Sequence, residues 1–339
     1  METTPIGVRR RAAVTITSDP LAAAAVGSEV HFEAMRFQMN IGVEAGFGSI
    51  ENWGHFGGVV LGLAFTEGAR VSVQGTAVMV APGIAVTATH TLDPQAEALR
   101  ESRTECVAFG LRDDAAMFWR LRGVTSNANS DIAILSLEAA SPLPDRNVYR
   151  QAWITTRSPQ EGETVTVIGF RFEDTLIGTG FRGEAFASRG KVVTVYDDKR
   201  DSALMRWPSF EISAHAVGGM SGGPVFDSGG YLVGLLSSSM SSESNDGPAF
   251  ASLLWPCLGL PFVPTWPADL VGGKKSLLEI DPRLCLIDGR DAVSFVEAPG
   301  GDRRLQYRHW DRPESFCNGS QTGAGHQGIG APPVHRFHL

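Results

Sequence analysis

Short apolar runs rich in Val, Ile and Thr, separated by glycines, set the pattern of this chain. They suit short strands and turns rather than long helices. Residues 75–90 read as two β-rich runs around the turn Pro82-Gly83, ending in Thr87-Ala88-Thr89-His90. Asp131-Ile132-Ala133-Ile134-Leu135-Ser136-Leu137 has the profile of a strand buried on both faces. Residues 31–58 carry Phe32, Met35, Phe37 and Met39 before Gly46-Phe47-Gly48, a pattern that predicts a short helix or an extension packed on the main body. Ser276-Leu277-Leu278-Glu279-Ile280 predicts a short helix, and Cys285-Leu286-Ile287-Asp288-Gly289 a hairpin. Residues 1 to about 30 read as a flexible leader, and the Gly, Pro, His and Gln mixture after Pro313 as disordered.

Composition narrows the class. At 339 residues and 43% hydrophobic, the chain can bury a full core of one or two domains. A net charge of −8 argues against nucleic acid as a partner, and Arg9-Arg10-Arg11 reads as a solvated tail. No apolar stretch approaches the roughly 18 residues of a membrane span. Leu21-Ala22-Ala23-Ala24-Ala25-Val26 follows the breaker Ser18-Asp19-Pro20 and is shorter than the ~7–15 apolar residues of a signal core. Cys106, Cys257, Cys285 and Cys317 are scattered, which suggests neither zinc nor a disulfide framework. The expectation is a cytoplasmic protein, with export as the alternative, and with no cofactor or metal. Asn318-Gly319-Ser320 matches a glycosylation signal only formally.

The chemistry concentrates in Gly218-Gly219-Met220-Ser221-Gly222-Gly223-Pro224. Glycines permit close backbone approach and positive φ, so a serine held there can expose its hydroxyl beside free N–H groups. The plainer alternative is a tight turn or a phosphate loop, but the latter needs a Gly-Lys-Ser/Thr sequence and no lysine lies near. A nucleophilic serine needs a base, and the base an orienting acid. Of eight histidines, His90 stands at the end of a strand pair; its plain reading is a satisfied strand-end histidine. Asp131 opens a buried strand, where an unpartnered carboxylate is costly; its plain reading is a cap or a surface ion pair. Asp113 and Asp114 compete for the role but sit among polar residues. Gly178-Thr179-Gly180-Phe181-Arg182-Gly183 matches a dinucleotide fingerprint, yet no helix pattern follows it. A loop bordering the substrate cleft is the expected reading.

Thr87-Ala88-Thr89-His90, Asp131-Ile132-Ala133-Ile134-Leu135 and Gly219-Met220-Ser221-Gly222-Gly223-Pro224 resemble the three signatures of chymotrypsin-fold, trypsin-like serine peptidases. They stand in that family's order, 41 and 90 residues apart. Thr164–Phe170, Gly190–Val193, Val225–Asp227 and Tyr231–Ser237 resemble strands of its second barrel, so the likeness covers about residues 59–255.

The resemblance implies an all-β chymotrypsin-like fold: two six-stranded antiparallel Greek-key β-barrels with short N- and C-terminal extensions. The expected division is an N-terminal leader and extension (1–58), a first barrel with His90 and Asp131 (59–145) and a second with Ser221 (146–260). A C-terminal extension with a disordered tail (261–339) completes it, and Ser141-Pro142-Leu143-Pro144-Asp145 is the linker. It further implies a serine endopeptidase acting on a protein or peptide substrate. Ser221 would be the nucleophile, His90 the general base and Asp131 its orienting acid, with the Gly219 and Ser221 amides as oxyanion hole. His215 would lie at the base of the primary pocket and Ser237, Ser238 and Ser239 along its wall, which favours an acidic or small side chain over Lys or Arg.

Two departures matter. Met220 stands where digestive members carry the Asp that pairs with a newly cut N-terminus, and Thr91 replaces the cysteine that follows their histidine. The pattern is closer to bacterial and viral branches. The loop must then be shaped from elsewhere in the chain or by a regulatory protein partner. The alternative function is a catalytically weak trypsin-like fold that serves as a protein-binding or scaffold module.

Overall fold

The computed structural model describes residues 10–15, 27, 29–37, 47–50, 56–68, 70–112, 115–141, 148–177, 180–239, 248–267, 272–297, 303–312 and 334–338. Asp113, Asp114, the linker from Pro142 to Asp145, Leu21–Val26, Cys317 and the 313–333 stretch lie outside those residues.

Among the described residues, three strands precede the barrels: β1 (Arg10–Thr15), β2 (Glu29–Met35) and β3 (Phe47–Ile50). The expected leader is therefore corrected in part, because β1 pairs antiparallel with β2 over its whole length. The helix considered for residues 31–58 is likewise a strand at Glu29–Met35. Its backbone is fixed by pairing on both sides rather than by a helical apolar stripe.

The first barrel closes six antiparallel strands: β4 (Val60–Glu67), β5 (Arg70–Ala81), β6 (Ile84–Ala88), β7 (Glu105–Arg112), β8 (Ala115–Ser126) and β9 (Ile132–Ala139). Between β6 and β7 lies a short helix, α1 (Ala96–Arg100). Every residue of β6 and β9 is buried, as continuous apolar runs require. Gly83 makes the β5–β6 turn with φ of 62°, and the backbones of Trp266 and Leu137 crowd the place a Cβ would take.

Two strands cross to the second barrel. β10 (Val148–Ala152) pairs in parallel with β2, and β11 (Ile154–Thr155) pairs in parallel with a second-barrel strand. The second barrel consists of β12 (Thr164–Ile177), β13 (Gly180–Tyr196), β14 (Ser209–Ile212), β15 (Pro224–Asp227), β16 (Leu232–Ser239) and β17 (Ala249–Leu253). Its ring is closed by β15 pairing with both β12 and β16. In both barrels the strands run first, second, third, sixth, fifth, fourth around the ring. The Gly178–Gly183 fingerprint falls in the β12–β13 hairpin, with residues 178 and 179 outside the described set. The cleft loop expected there is corrected: strand pairing continues to Ile177 and resumes at Gly180.

The C-terminal segment straps the barrels together. β18 (Ile287–Asp288) is a parallel partner of β11 rather than half of the expected hairpin. β19 (Val293–Glu297), β20 (Arg303–Arg308) and β21 (Val334–His338) form a separate antiparallel sheet, so the tail expected to be disordered ends in a strand. The expected helix at Ser276–Ile280 is one 3₁₀ turn, Leu277–Glu279, closed by a Ser276/Glu279 capping box. Trp266 is fully buried among Phe32, Trp119 and Tyr149, with ring centroids 4.9–6.1 Å apart. That cluster joins the N-terminal sheet, the first barrel and the strap, and aromatic pairs of this kind add ~0.5–1.5 kcal/mol each beyond area burial.

Candidate active site

Strand register brings His90 to Asp131. β6 pairs with β9 so that Ala88 faces Ile132; Asp131 directly precedes Ile132, and His90 lies in the 3₁₀ turn Thr89–Thr91 that follows Ala88. The Thr89 amide donates to the Asp131 carbonyl at 3.2 Å and closes the corner. Asp131 is 6% exposed. Its Oδ1 accepts from the His90 amide at 3.1 Å, and its Oδ2 lies 2.8 Å from His90 Nδ1. Oδ2 also accepts from Ser237 Oγ. A carboxylate can only accept, so Nδ1 donates and Nε2 is left free to take a proton. Burial pulls the imidazole down, but the hydrogen bond and charge of Asp131, helped by Asp93, outweigh it and raise His90 above its ordinary value.

Ser221 comes from the second barrel, on the loop before β15, and that loop is fastened to the first barrel. The Thr76 amide donates to the Ser221 carbonyl at 2.8 Å. Thr76 Oγ1 donates to the Gly219 carbonyl at 3.1 Å and accepts from the Phe170 amide at 2.9 Å. Met220 is fully buried over Gly169, an apolar anchor where an ion pair would need charge. Gly222 adopts φ of 78°, and its missing Cβ would stand 2.2 Å from Thr87 Oγ1 and 2.3 Å from the Thr76 carbonyl.

The amides of Met220, Gly222 and Gly223 are satisfied by the Val217, Leu236 and Met220 carbonyls. Among the described residues those of Gly219 and Ser221 donate to nothing. Two backbone amides next to the Ser221 side chain in sequence are thus left unspent.

His90, Asp131, Ser221, Ser237 and Ser238 share one cavity of about 400 Å³. Among the described residues no hydrogen bond joins Ser221 to His90; the two meet as neighbours on the cavity wall. Its remaining lining is Arg200, Leu204, Met205, Trp207 and Phe250, none of which stood out in the sequence. His215 does not line it: its ring packs edge-on against Phe47, centroids 4.6 Å apart. Ser237 sits in the wall, but its hydroxyl is spent on Asp131. The Ser239 side chain lies outside the described residues. Cys106, Cys257 and Cys285 are free and buried, their thiols pushed up to about 12 by burial, so none offers a thiolate.

Residues 75–235 match the family model of the trypsin-like peptidase domain. They form a trypsin-like peptidase domain of the chymotrypsin fold. Solved structures similar to the chain include Deg5, at 16% identity over 57% of this chain and 83% of that one, with a TM-score of 0.40. The HtrA-type protease AlgW with a tripeptide is 22% identical over 57% of this chain and 56% of that one, with a TM-score of 0.39. The active form of the Rv3671c protease from M. tuberculosis is 17% identical over 57% and 75%, with a TM-score of 0.38. No curated protein matches the chain.

Proposed function

We propose that this protein is a serine endopeptidase that hydrolyses peptide bonds in protein substrates through an acyl-enzyme. One observation carries the reading: Asp131, buried and triply hydrogen-bonded, holds His90 by Nδ1 in the cavity that Ser221 lines. Ser221 Oγ attacks the scissile carbonyl carbon while His90 Nε2 takes its proton. The C–N bond then breaks as His90 returns that proton to the leaving amine, and water repeats the sequence on the ester. Asp131 fixes the tautomer and stabilises the imidazolium. The free amides of Gly219 and Ser221 support a role as oxyanion donors, each typically worth ~3 kcal/mol of transition-state stabilisation. The loop is held by Thr76 and Met220, which supports a site assembled without a new N-terminus.

Hydrolysis of an unfolded protein substrate, followed as release of new α-amines, tests the reading. The parent should cleave, while Ser221→Ala and His90→Ala should fall at least about 10³-fold. Equal rates in parent and variants would favour a non-catalytic binding module.

A further inference from the structure

The loop between β13 and β14 places a cation in the same cavity as Ser221 and His90. It is folded tightly: the Arg200 and Asp201 amides both donate to the Met205 carbonyl, at 3.0 and 3.2 Å. Asp201 Oδ1 accepts from the amides of Ala203, Leu204 and Met205 at 2.8, 2.6 and 3.2 Å. These bonds, with that of Leu204 foremost, hold its carboxyl below the ordinary value. The Arg200 guanidinium lies 4.4 Å from the centroid of Phe250, which is itself buried. Trp207 is locked beside it by a 2.8 Å bond from Nε1 to Ser252 Oγ. The cation is therefore positioned by a rigid floor rather than left to swing in solvent.

Its charge is incompletely answered. The Arg200 side chain is 25% exposed, and its Nη1 is buried without a hydrogen-bond partner. Asp201 Oδ2 pairs with Nη1 at 3.5 Å while Oδ1 accepts from three amides, and the Tyr196 hydroxyl also meets Arg200, so the charge is answered only in part, at the loop side. Around it the cavity is Leu204, Met205, Trp207 and Phe250, and its one carboxylate, Asp131, is committed to His90 and Ser237. A guanidinium carries five donors in a planar fork, and a partly desolvated one gains most from a carboxylate that meets it.

We infer that Arg200 selects substrates carrying Asp or Glu close to the scissile bond. The inference rests on the peptidase reading and names its substrate class. It moves the acid preference expected from His215 to a different residue on a different loop. The acceptor on the substrate is a side-chain carboxylate, so it survives when the peptide's C-terminus is amidated.

The test uses the full chain and amidated, N-acetylated fluorogenic peptides that differ only as Glu/Gln or Asp/Asn at each position near the cleaved bond. The parent should prefer the acid at one position by roughly ten-fold or more in kcat/KM. Arg200→Met should bring that ratio to about one, and Arg200→Lys should keep part of it. Arg200→Glu should turn the preference toward Lys or Arg at the same position. An acid-to-amide ratio near one in the parent, or one that survives Arg200→Met, overturns the inference.

Binding of the same peptides to Ser221→Ala, read by fluorescence anisotropy, separates the two readings. Acid-selective binding lost with Arg200→Met, alongside an uncleaved library, would sink the peptidase and keep the acid site. Cleavage without acid selectivity would do the reverse.

Discussion

The Thr76 amide lies 2.8 Å from the Ser221 carbonyl and joins the two barrels at the loop that carries Ser221. Thr76 makes a second link through its hydroxyl, which bridges the Gly219 carbonyl and the Phe170 amide. Three backbone groups around the proposed oxyanion hole thus take their places from one side chain and its own amide.

Thr76→Val keeps shape and removes the hydroxyl that bridges the Phe170 amide and the Gly219 carbonyl. The expected cost is ~1–3 kcal/mol of stability and a larger proportional loss in acylation rate. Thr76→Ser should restore most of both. Thermal midpoints and acylation rates of the two variants check this, and a Thr76→Val protein acylating at the parental rate would refute it.

The glycines of the loop are not equivalent. A Cβ at Gly222 would overlap Thr87 Oγ1, the Thr76 carbonyl and the Ala88 amide at positive φ, so Gly222→Ala should fail to fold or lose several kcal/mol, beyond the ~1–3 kcal/mol of backbone strain alone. At Gly218 a Cβ meets nothing within 4 Å, and Gly218→Ala should be close to parental. Soluble yield and denaturant midpoints distinguish the pair.

His90 stands above the ordinary imidazole value, and in the proposed mechanism its neutral form takes the Ser221 proton. Acylation should therefore rise with pH through a titration higher than that of a free imidazole. The stability contribution has the opposite sense: the charged pair with Asp131 is fully present below the ordinary imidazole value and is lost as pH rises through the raised one. Asp131→Asn removes the two largest raising causes and leaves burial opposed by Asp93 alone, so the acid limb should move to lower pH. The maximum should drop on the order of 10⁴-fold, as for other triad carboxylate-to-amide changes. A pH profile of acylation in both proteins reads both effects.

A buried ion network holds the strap. Asp227, 4% exposed, accepts from Arg157 at 3.3 Å, Arg312 at 3.2 Å and the Tyr231 amide at 2.9 Å. Arg157 also meets Glu163, and Arg312 also meets Asp288. Asp227→Ala leaves two poorly solvated cations short of a partner and should cost ~3–5 kcal/mol, measured by denaturant unfolding. A loss under 1 kcal/mol would contradict it.

The sequence made some of this legible and hid the rest for physical reasons. His90, Asp131 and Ser221 each stand in a local pattern, a strand end or a glycine-wrapped turn, and their order matches a barrel pair. Thr76 carries no such pattern, since its partners lie 94 and 143 residues away. Arg200 reads as an ordinary charged loop residue until Asp201 folds its loop onto Phe250. β1 and β21 take their strand form from partners elsewhere in the chain, which no local propensity reports. The resemblance implies His215 at the base of the pocket, but Phe47 of the N-terminal strand β3, a partner that local sequence does not report, is what its ring meets.

The central claim is that Ser221 is a nucleophile activated by His90. Intact-mass spectrometry after treatment with a fluorophosphonate measures this directly. The parent should gain one adduct, mapped to Ser221, at a rate that falls with acid titration of His90, and Ser221→Ala should gain none. An unmodified parent under native conditions, or equal labelling of parent and Ser221→Ala, would contradict it.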